Sequence, residues 1–198
     1  MLDPYLRPLI DPPLQRLARR LRWPADAVTL GGCVLGLAAA WALALGHDHV
    51  ALVLFLFNRL ADGLDGALAR ISGPTDRGGL LDIVLDFSVY ALLAFAFAWR
   101  DPSAAALPAA FLLAAFMTTA SSFLAYAVIA AKRGQATEKR GRKSFYHLGG
   151  LTEGTETILF FVLCLVLPGW FPVLAWIFGA LCWLTAAGRV LSGWRDFA

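Results

Sequence analysis

Six long apolar segments dominate this sequence and restrict the folds that it can adopt. An α-helix needs about 20 apolar residues to cross the hydrocarbon core of a bilayer. Hydrophobic residues make up 59% of the chain and charged residues only 16%, a balance unlike that of ordinary soluble domains. We therefore predict an all-α membrane protein with six transmembrane helices, and we expect Asp26 to cap the first. The predicted spans cover residues 27–46, 49–70, 78–98, 105–131, 152–168 and 171–190.

Residues 1–24, which precede the first span, carry a different pattern. Leu14, Leu17 and Leu21 fall on one face of a helix and arginines on the other. This pattern is typical of a short amphipathic interfacial helix that lies among the lipid headgroups. A helix packed against the cytoplasmic side of the bundle is the alternative. Because no repeat, low-complexity tract or linker interrupts the chain, we expect residues 1–198 to form a single domain.

The basic residues are unevenly distributed along the chain. Most of them lie in the N-terminal segment, in the loops at 71–77 and 132–143 and in the C-terminal tail, whereas the turns at 47–49 and 168–172 have no Lys or Arg. Because cytoplasmic loops are enriched in Lys and Arg, this distribution predicts a multi-pass protein of the cytoplasmic (inner) membrane with both termini on the cytoplasmic side. The basic patches suit contact with anionic lipid, and we expect no nucleic-acid partner.

Four aspartates lie inside the second and third apolar segments, at positions 62, 65, 82 and 86. The two helices meet at one cytoplasmic loop, so the depths of these residues can be compared. At 1.5 Å per residue, Asp65 and Asp82 lie roughly 6–7 Å above the loop, and Asp62 and Asp86 lie about 12 Å above it. The aspartates of each helix also share a face. If the helices are neighbours, four carboxylates converge in one pocket just below the cytoplasmic surface.

These four carboxylates need a counter-charge. A single charge at the centre of a membrane helix costs about 2.5–3.5 kcal/mol on insertion scales, and four at close quarters also repel one another. Divalent cations neutralise them, and hard oxygen ligands in this number suit Mg²⁺ or Mn²⁺. One alternative is a structural network with Arg59 and Arg70 as counter-ions, although two positive charges do not balance four negative ones. Another is a cation or proton pathway, although a relay would spread its carboxylates across the membrane.

Eight residues in this region have a fixed spacing: Asp62-x-x-Asp65-Gly66-x-x-Ala69-Arg70, then seven residues, then Gly78-x-x-x-Asp82-x-x-x-Asp86. This pattern resembles the signature of the CDP-alcohol phosphatidyltransferase family, in which many members have eight intervening residues rather than seven. The six-span plan with a short helix in front is similar to that family as well. The 143–161 segment resembles a bacterial subgroup whose acceptor alcohol is not assigned.

The resemblance implies an enzyme of phospholipid biosynthesis. It would transfer a phosphatidyl (substituted phosphate) group from a CDP-linked lipid, such as CDP-diacylglycerol, to the hydroxyl of a small alcohol and release CMP. The four aspartates would hold two divalent ions, Mg²⁺ or Mn²⁺, and Asp86 would also be the general base. Because family members are often homodimers, a homodimer is expected. Five residues would contact the CDP moiety: Gly66, Ala69, Arg70, Thr75 and Thr29.

The acceptor alcohol stays open, because candidate residues of both charges lie near the cytoplasmic end of the later spans. Basic side chains suit a phosphate-bearing acceptor, although such residues also set membrane topology. Acidic side chains suit an amine-bearing acceptor, although in the first turn of a helix they also interact favourably with its dipole. The candidates for acceptor binding are Arg133, Arg142, Lys143, Glu153 and Glu156.

Overall fold

The structure, a computed structural model, describes residues 3–21, 23–134 and 150–197, and every regular element in these ranges is helical. A short 3-10 turn, Pro168–Trp170, precedes the last helix. The predicted all-α class is therefore confirmed. The α-helices are α1 (Asp3–Arg20), α2 (Ala25–Ala44), α3 (Asp48–Ser72), α4 (Asp76–Arg100), α5 (Pro102–Lys132), α6 (Gly154–Val166) and α7 (Phe171–Asp196).

Four helical segments are long and apolar enough to cross a membrane: α2, α4, α5 and the Pro168–Asp196 segment that contains α7. Helix α3 has 25 residues, but Arg59, Asp62 and Asp65 interrupt its apolar sequence. Helix α6 has only 13 residues, about 20 Å at 1.5 Å per residue, which is shorter than a hydrocarbon core of about 30 Å. Four spans are thus supported, and the count of six stays a prediction.

The helices pack into one bundle around a shared apolar core. Helix α2 lies against α3 and α4, α5 lies against α4 and α7, and α6 contacts α3. Phe161 of α6 is fully buried, and its ring centroid lies 6.0 Å from that of Phe55 and 5.6 Å from that of Tyr90. Close approach of α2 and α4 depends on Gly36, because a Cβ there would lie 2.5 Å from Val89 Cγ2.

Helix α1 packs on the outside of this bundle, mainly against α3. Leu14 and Ala18 are buried in a smaller apolar cluster with Leu64 and Leu68, whereas Leu17 is 41% exposed. The face that contacts the protein is therefore the one that carries Leu14 and Ala18. This contact agrees with the alternative of a helix packed on the bundle, and a position among the lipid headgroups stays a prediction.

The turn between α3 and α4 fixes the two helices that carry the aspartates. Gly73 follows the last residue of α3 with φ of 96°, a backbone conformation that favours glycine. Thr75 then caps α4, since its Oγ1 accepts a hydrogen bond of 3.0 Å from the backbone N–H of Gly78. The expectation that Asp26 caps α2 is wrong. Pro24 is the cap residue, and Asp26 lies in the first turn, where its carboxylate pairs with Arg77 of α4.

Candidate active site

Three carboxylates converge in the half of α3 and α4 that is nearer to the turn between these helices. Asp62 lies on α3, and Asp82 and Asp86 lie four residues apart on α4. One oxygen from each of the three lies within 4.8 Å of the other two. Asp82 is exposed, whereas Asp62 and Asp86 are half-buried. The group therefore has an open side at Asp82 and a closed side deeper in the bundle.

Asp65 lines the same cleft but does not belong to this group of three. It is only 6% exposed, and its Oδ2 is buried without a hydrogen-bond partner among the described residues. A buried carboxylate oxygen without a partner is costly. Helix α2 completes the cleft with residues that carry no formal charge: Thr29, Gly32 and Cys33.

The donor set fits a divalent cation. All of its ligand atoms are carboxylate oxygens, which suit Mg²⁺ and Mn²⁺, and three of them are already close together. The partnerless oxygen of Asp65 is a further donor in the same cleft. The assignment of all four aspartates as ligands stays a prediction, and the geometry divides them into three adjacent carboxylates and one that lies apart.

Arg59, one turn before Asp62 on α3, contacts this cluster from its deeper side. Its Nη2 donates to Asp86 Oδ1 over 2.8 Å and its Nη1 to Asp86 Oδ2 over 3.2 Å. Its Nη1 also lies 3.8 Å from Asp62 Oδ2. The sequence singled out Arg59 only as a possible counter-ion, and nothing in it indicated which aspartate the arginine would contact.

The residues expected to contact CDP lie around the same turn. Gly66 and Ala69 are half-buried on α3, and a Cβ at Gly66 would meet only Arg70 Nη1, at 3.6 Å. The exposed Arg70 side chain reaches Asp11 of α1 over 3.4 Å. Thr29 lines the cleft and donates to the Ala25 carbonyl, whereas Thr75 serves as the cap of α4.

Three of the residues expected to contact the acceptor are described, and each has a structural contact. Arg133 donates to the backbone carbonyls of Asp196 and Phe197, which joins the ends of α5 and α7. Glu153 and Glu156 form a capping box at the start of α6. Arg142 and Lys143 lie outside the described residues. These contacts account for the positions of the three side chains at the helix ends, and acceptor binding stays a prediction.

A second buried polar cluster, which the sequence did not lead us to expect, joins α5 and α7 to the segment just before α6. Arg189 is buried on α7 and donates to the Thr119 carbonyl over 3.2 Å, although its Nε has no partner among the described residues. Thr152 donates to Thr185 through its hydroxyl, over 3.0 Å. An arginine within an apolar helix is a signal that was present in the sequence. Because position 189 falls at the edge of the sixth predicted span, the sequence pattern does not distinguish Arg189 from a basic residue that flanks a membrane helix.

Comparisons with known proteins agree with this architecture. The family model described as CDP-alcohol phosphatidyltransferase matches residues 22–188. Inner membrane protein YnjF of Escherichia coli (strain K12) is 53% identical over 197 residues, which cover 98% of this chain and 96% of that protein.

Two crystal structures of phosphatidylinositol phosphate synthase (PgsA1) from Mycobacterium tuberculosis are also similar. The structure with CDP-DAG bound has a TM-score of 0.71 at 22% identity, over 91% of this chain and 93% of that one. The complex with manganese and citrate has a TM-score of 0.65 at 22% identity, over 93% and 88% of the two chains. At this level of identity, the likeness shows a common fold.

Proposed function

The chain belongs to the CDP-alcohol phosphatidyltransferase family, and from that membership we propose that it joins a CDP-linked lipid to a small alcohol and releases CMP. The observation that carries the proposal is the convergence of Asp62, Asp82 and Asp86 beside the buried Asp65, in the half of α3 and α4 that is nearer to the turn between them. An ion pathway has less support, because the clustered carboxylates all lie in the half of α3 and α4 nearer to their connecting turn, whereas a relay would spread them across the membrane.

The proposed donor is CDP-diacylglycerol or a similar CDP-linked lipid. Its acyl chains would lie beside the apolar helices, and its polar part would lie at the aspartate cleft. The exposed apolar side chains of α2 and α4 suit contact with acyl chains, and Val34, Leu37 and Leu80 are among them. PgsA1 was crystallised with CDP-DAG bound, which supports the choice of donor for a protein of the same fold.

We propose that Asp62, Asp82 and Asp86 hold a divalent ion and that Asp65 helps to hold a second. PgsA1, a protein of the same fold, was crystallised in complex with manganese, which supports a divalent metal in this protein. When bound, such ions neutralise the carboxylates and stabilise negative charge on the attacking and leaving oxygens.

Asp86 is the proposed general base. An Asp86 oxygen accepts the proton of the acceptor hydroxyl, and the hydroxyl oxygen forms a bond to the lipid-side phosphorus. The bond between that phosphorus and the CMP oxygen breaks, so CMP leaves with its electron pair. Two contacts from Arg59 hold the Asp86 carboxylate during this step.

The CDP moiety would lie over the turn between α3 and α4. At Gly66, the absence of a side chain leaves the backbone accessible, and Ala69 and Arg70 continue the same face of α3. Arg70 can pair with a phosphate oxygen in place of Asp11. Thr29 borders the cleft from α2, and Thr75 would contribute mainly by fixing the start of α4.

We also propose that the protein is a homodimer in the inner membrane, with its active site and both termini facing the cytoplasm. YnjF is named as an inner membrane protein, which supports the compartment. The positions of the basic residues support the sidedness.

The direct test is release of CMP from CDP-diacylglycerol by the purified protein, supplied with a mixture of alcohols and either Mg²⁺ or Mn²⁺. Mass spectrometry of the lipid fraction identifies the head group that has been attached. We expect metal-dependent CMP release that Asp86→Asn abolishes, because the amide cannot accept the proton. Asp76→Asn is the matched control, since Asp76 is exposed at the first residue of α4 and is expected to keep activity.

Two results would contradict the proposal. One is the absence of CMP release across a broad panel of alcohols and both metals, with metal-independent ion flux in liposomes instead. The other is full activity of the folded Asp86→Asn protein.

A further inference from the structure

Arg59 makes more hydrogen bonds than an ion pair with Asp86 alone would need. Its side chain is 7% exposed, and removal of a guanidinium from water is costly unless its donors are paired. Nε donates to Asn58 Oδ1 over 2.8 Å, and Nη1 donates to the Tyr90 hydroxyl over 2.7 Å. These two contacts hold the guanidinium independently of any aspartate.

Contacts from three helices fix this group further. The Asn58 side chain donates to the Gly32 carbonyl of α2 over 2.8 Å, which prevents free rotation of the amide that holds Arg59. The guanidinium carbon also lies 5.6 Å from the centroid of the Phe55 ring and 4.9 Å from that of Tyr90. Arg59 is therefore a rigid part of the bundle wall and not a mobile surface charge.

From this fixed position the two ends of the guanidinium contact both oxygens of Asp86. A two-point contact of this kind sets the plane of the carboxylate as well as its distance. An ionised carboxylate has about four acceptor positions on its two oxygens. The contact with Arg59 therefore leaves acceptor capacity on Asp86 for the side where Asp62 and Asp82 lie.

The charge of Arg59 does not by itself explain this arrangement. One positive charge cannot balance the four carboxylates that line the cleft. A lysine would supply the same charge as a point, without the planar two-point contact. The two-point contact of Arg59 with Asp86 therefore indicates that Arg59 orients the carboxylate and does not only supply positive charge.

We propose that Arg59 is a positioning residue that fixes the Asp86 carboxylate so that its free acceptor positions face Asp62 and Asp82. The inference rests on the proposed function and adds a residue outside the eight of the signature. It implies that metal affinity depends on the shape of the Arg59 side chain, and not only on its charge.

The test measures Mn²⁺ binding to the purified, lipid-free protein by the loss of the free Mn²⁺ signal in electron paramagnetic resonance. The variants are Arg59→Lys, which keeps the charge, and Arg59→Gln, which removes it. Both are expected to bind Mn²⁺ roughly 10–100-fold more weakly, as is usual when an outer-shell partner of a ligand is lost. Arg100→Gln is the matched control, because Arg100 is the last residue of α4 and does not line the cleft, and it is expected to keep wild-type affinity.

A milder variant guards against a failure of the Arg59 variants to fold. Tyr90→Phe removes one contact that holds the guanidinium and leaves the Asp86 contacts in place, so we expect a measurable but smaller loss of Mn²⁺ affinity. Size-exclusion profiles and thermal unfolding of each variant establish that it is folded.

Three outcomes would overturn the proposal. Wild-type Mn²⁺ affinity in folded Arg59→Lys would make Arg59 a counter-charge only. Tighter binding in Arg59→Gln would make it a competitor of the metal. Unchanged affinity in both Tyr90→Phe and Arg59→Gln would leave it without influence on the site. Because no lipid or alcohol is present, these results are independent of CMP release, whose absence in the wild type would instead contradict the proposed function.

Discussion

Two arginine–aspartate pairs join helices α3 and α4, one midway along both helices and one at their ends, and the two pairs have very different surroundings. Arg59 and Asp86 meet beside Asp62, at the deeper side of a cleft with an excess of negative charge. At the first residue of α3 and the last residue of α4, Asp48 pairs with Arg100, and the side chains of Arg100 and Asp48 are 34% and 21% exposed.

The two pairs differ in the net charge that remains around them. Asp48 and Arg100 pair one to one in a partly exposed position, where such a contact contributes about 0–1 kcal/mol. Arg59 balances one of several carboxylates, so the other negative charges remain for a cation to neutralise. The same two residue types therefore join the ends of α3 and α4 in one pair and are part of a candidate metal site midway along these helices in the other.

The largest expected difference between the surroundings of the two pairs is in metal binding. Asp62→Ala and Asp82→Ala each remove a proposed ligand, and we expect Mn²⁺ affinity to fall by more than the roughly 10–100-fold typical of an outer-shell change. Asp48→Ala, also on α3, is the matched control and should bind Mn²⁺ like the wild type. Isothermal titration calorimetry measures all three. Wild-type affinity in both Asp62→Ala and Asp82→Ala would contradict the proposed site.

At Asp65 we expect two smaller effects of opposite sign, one on the unfolding temperature of the metal-free protein and one on its stabilisation by Mn²⁺. In Asp65→Asn, the buried oxygen without a partner no longer carries charge, so the metal-free protein should unfold at a higher temperature than the wild type. Stabilisation by added Mn²⁺ should decrease, because an amide is the poorer ligand and bound metal stabilises by mass action. Thermal unfolding with and without Mn²⁺ measures both changes. A metal-dependent shift equal to that of the wild type would exclude Asp65 as a ligand.

The smallest effect is expected at the balanced pair. Arg100→Gln should lower the free energy of unfolding by about 0–1 kcal/mol, since the pair is partly exposed. CMP release should be unchanged, because neither Arg100 nor Asp48 lines the aspartate cleft. A loss of activity without a loss of stability would mean that the far end of α4 affects the reaction.

The aspartate spacing predicts which carboxylates share a helix face, but it does not predict which of them are buried. Residues on one helix keep a fixed periodicity, so the sharing of faces by Asp62 with Asp65 and by Asp82 with Asp86 could be inferred. Matched depth also placed Asp65 opposite Asp82. In the structure Asp65 is buried and Asp82 exposed, because α2 packs against α3 and α4 and covers one side of the cleft. No periodicity within α3 or α4 contains that information.

For the N-terminal helix as well, the sequence predicts the helix, and the packing decides which of its apolar residues are buried. Its leucines predicted an amphipathic helix, and a helix is present over Asp3–Arg20. Which of its residues contact protein depended on the neighbouring surface. Gly63 of α3 leaves a gap into which Leu14 fits, since a Cβ at Gly63 would lie 2.8 Å from Leu14 Cδ1. Leu17 faces away from this contact.

The sequence by itself determined the helical class, the two helices that carry the carboxylates and the family to which the chain belongs. These follow from local apolar content and from spacing along single helices. Only the tertiary structure paired Arg59 with Asp86, separated Asp65 from the other three aspartates and joined Arg189 to Thr119. Contacts between helices depend on how the helices approach and on side-chain rotamers, and the packing of the whole bundle decides both.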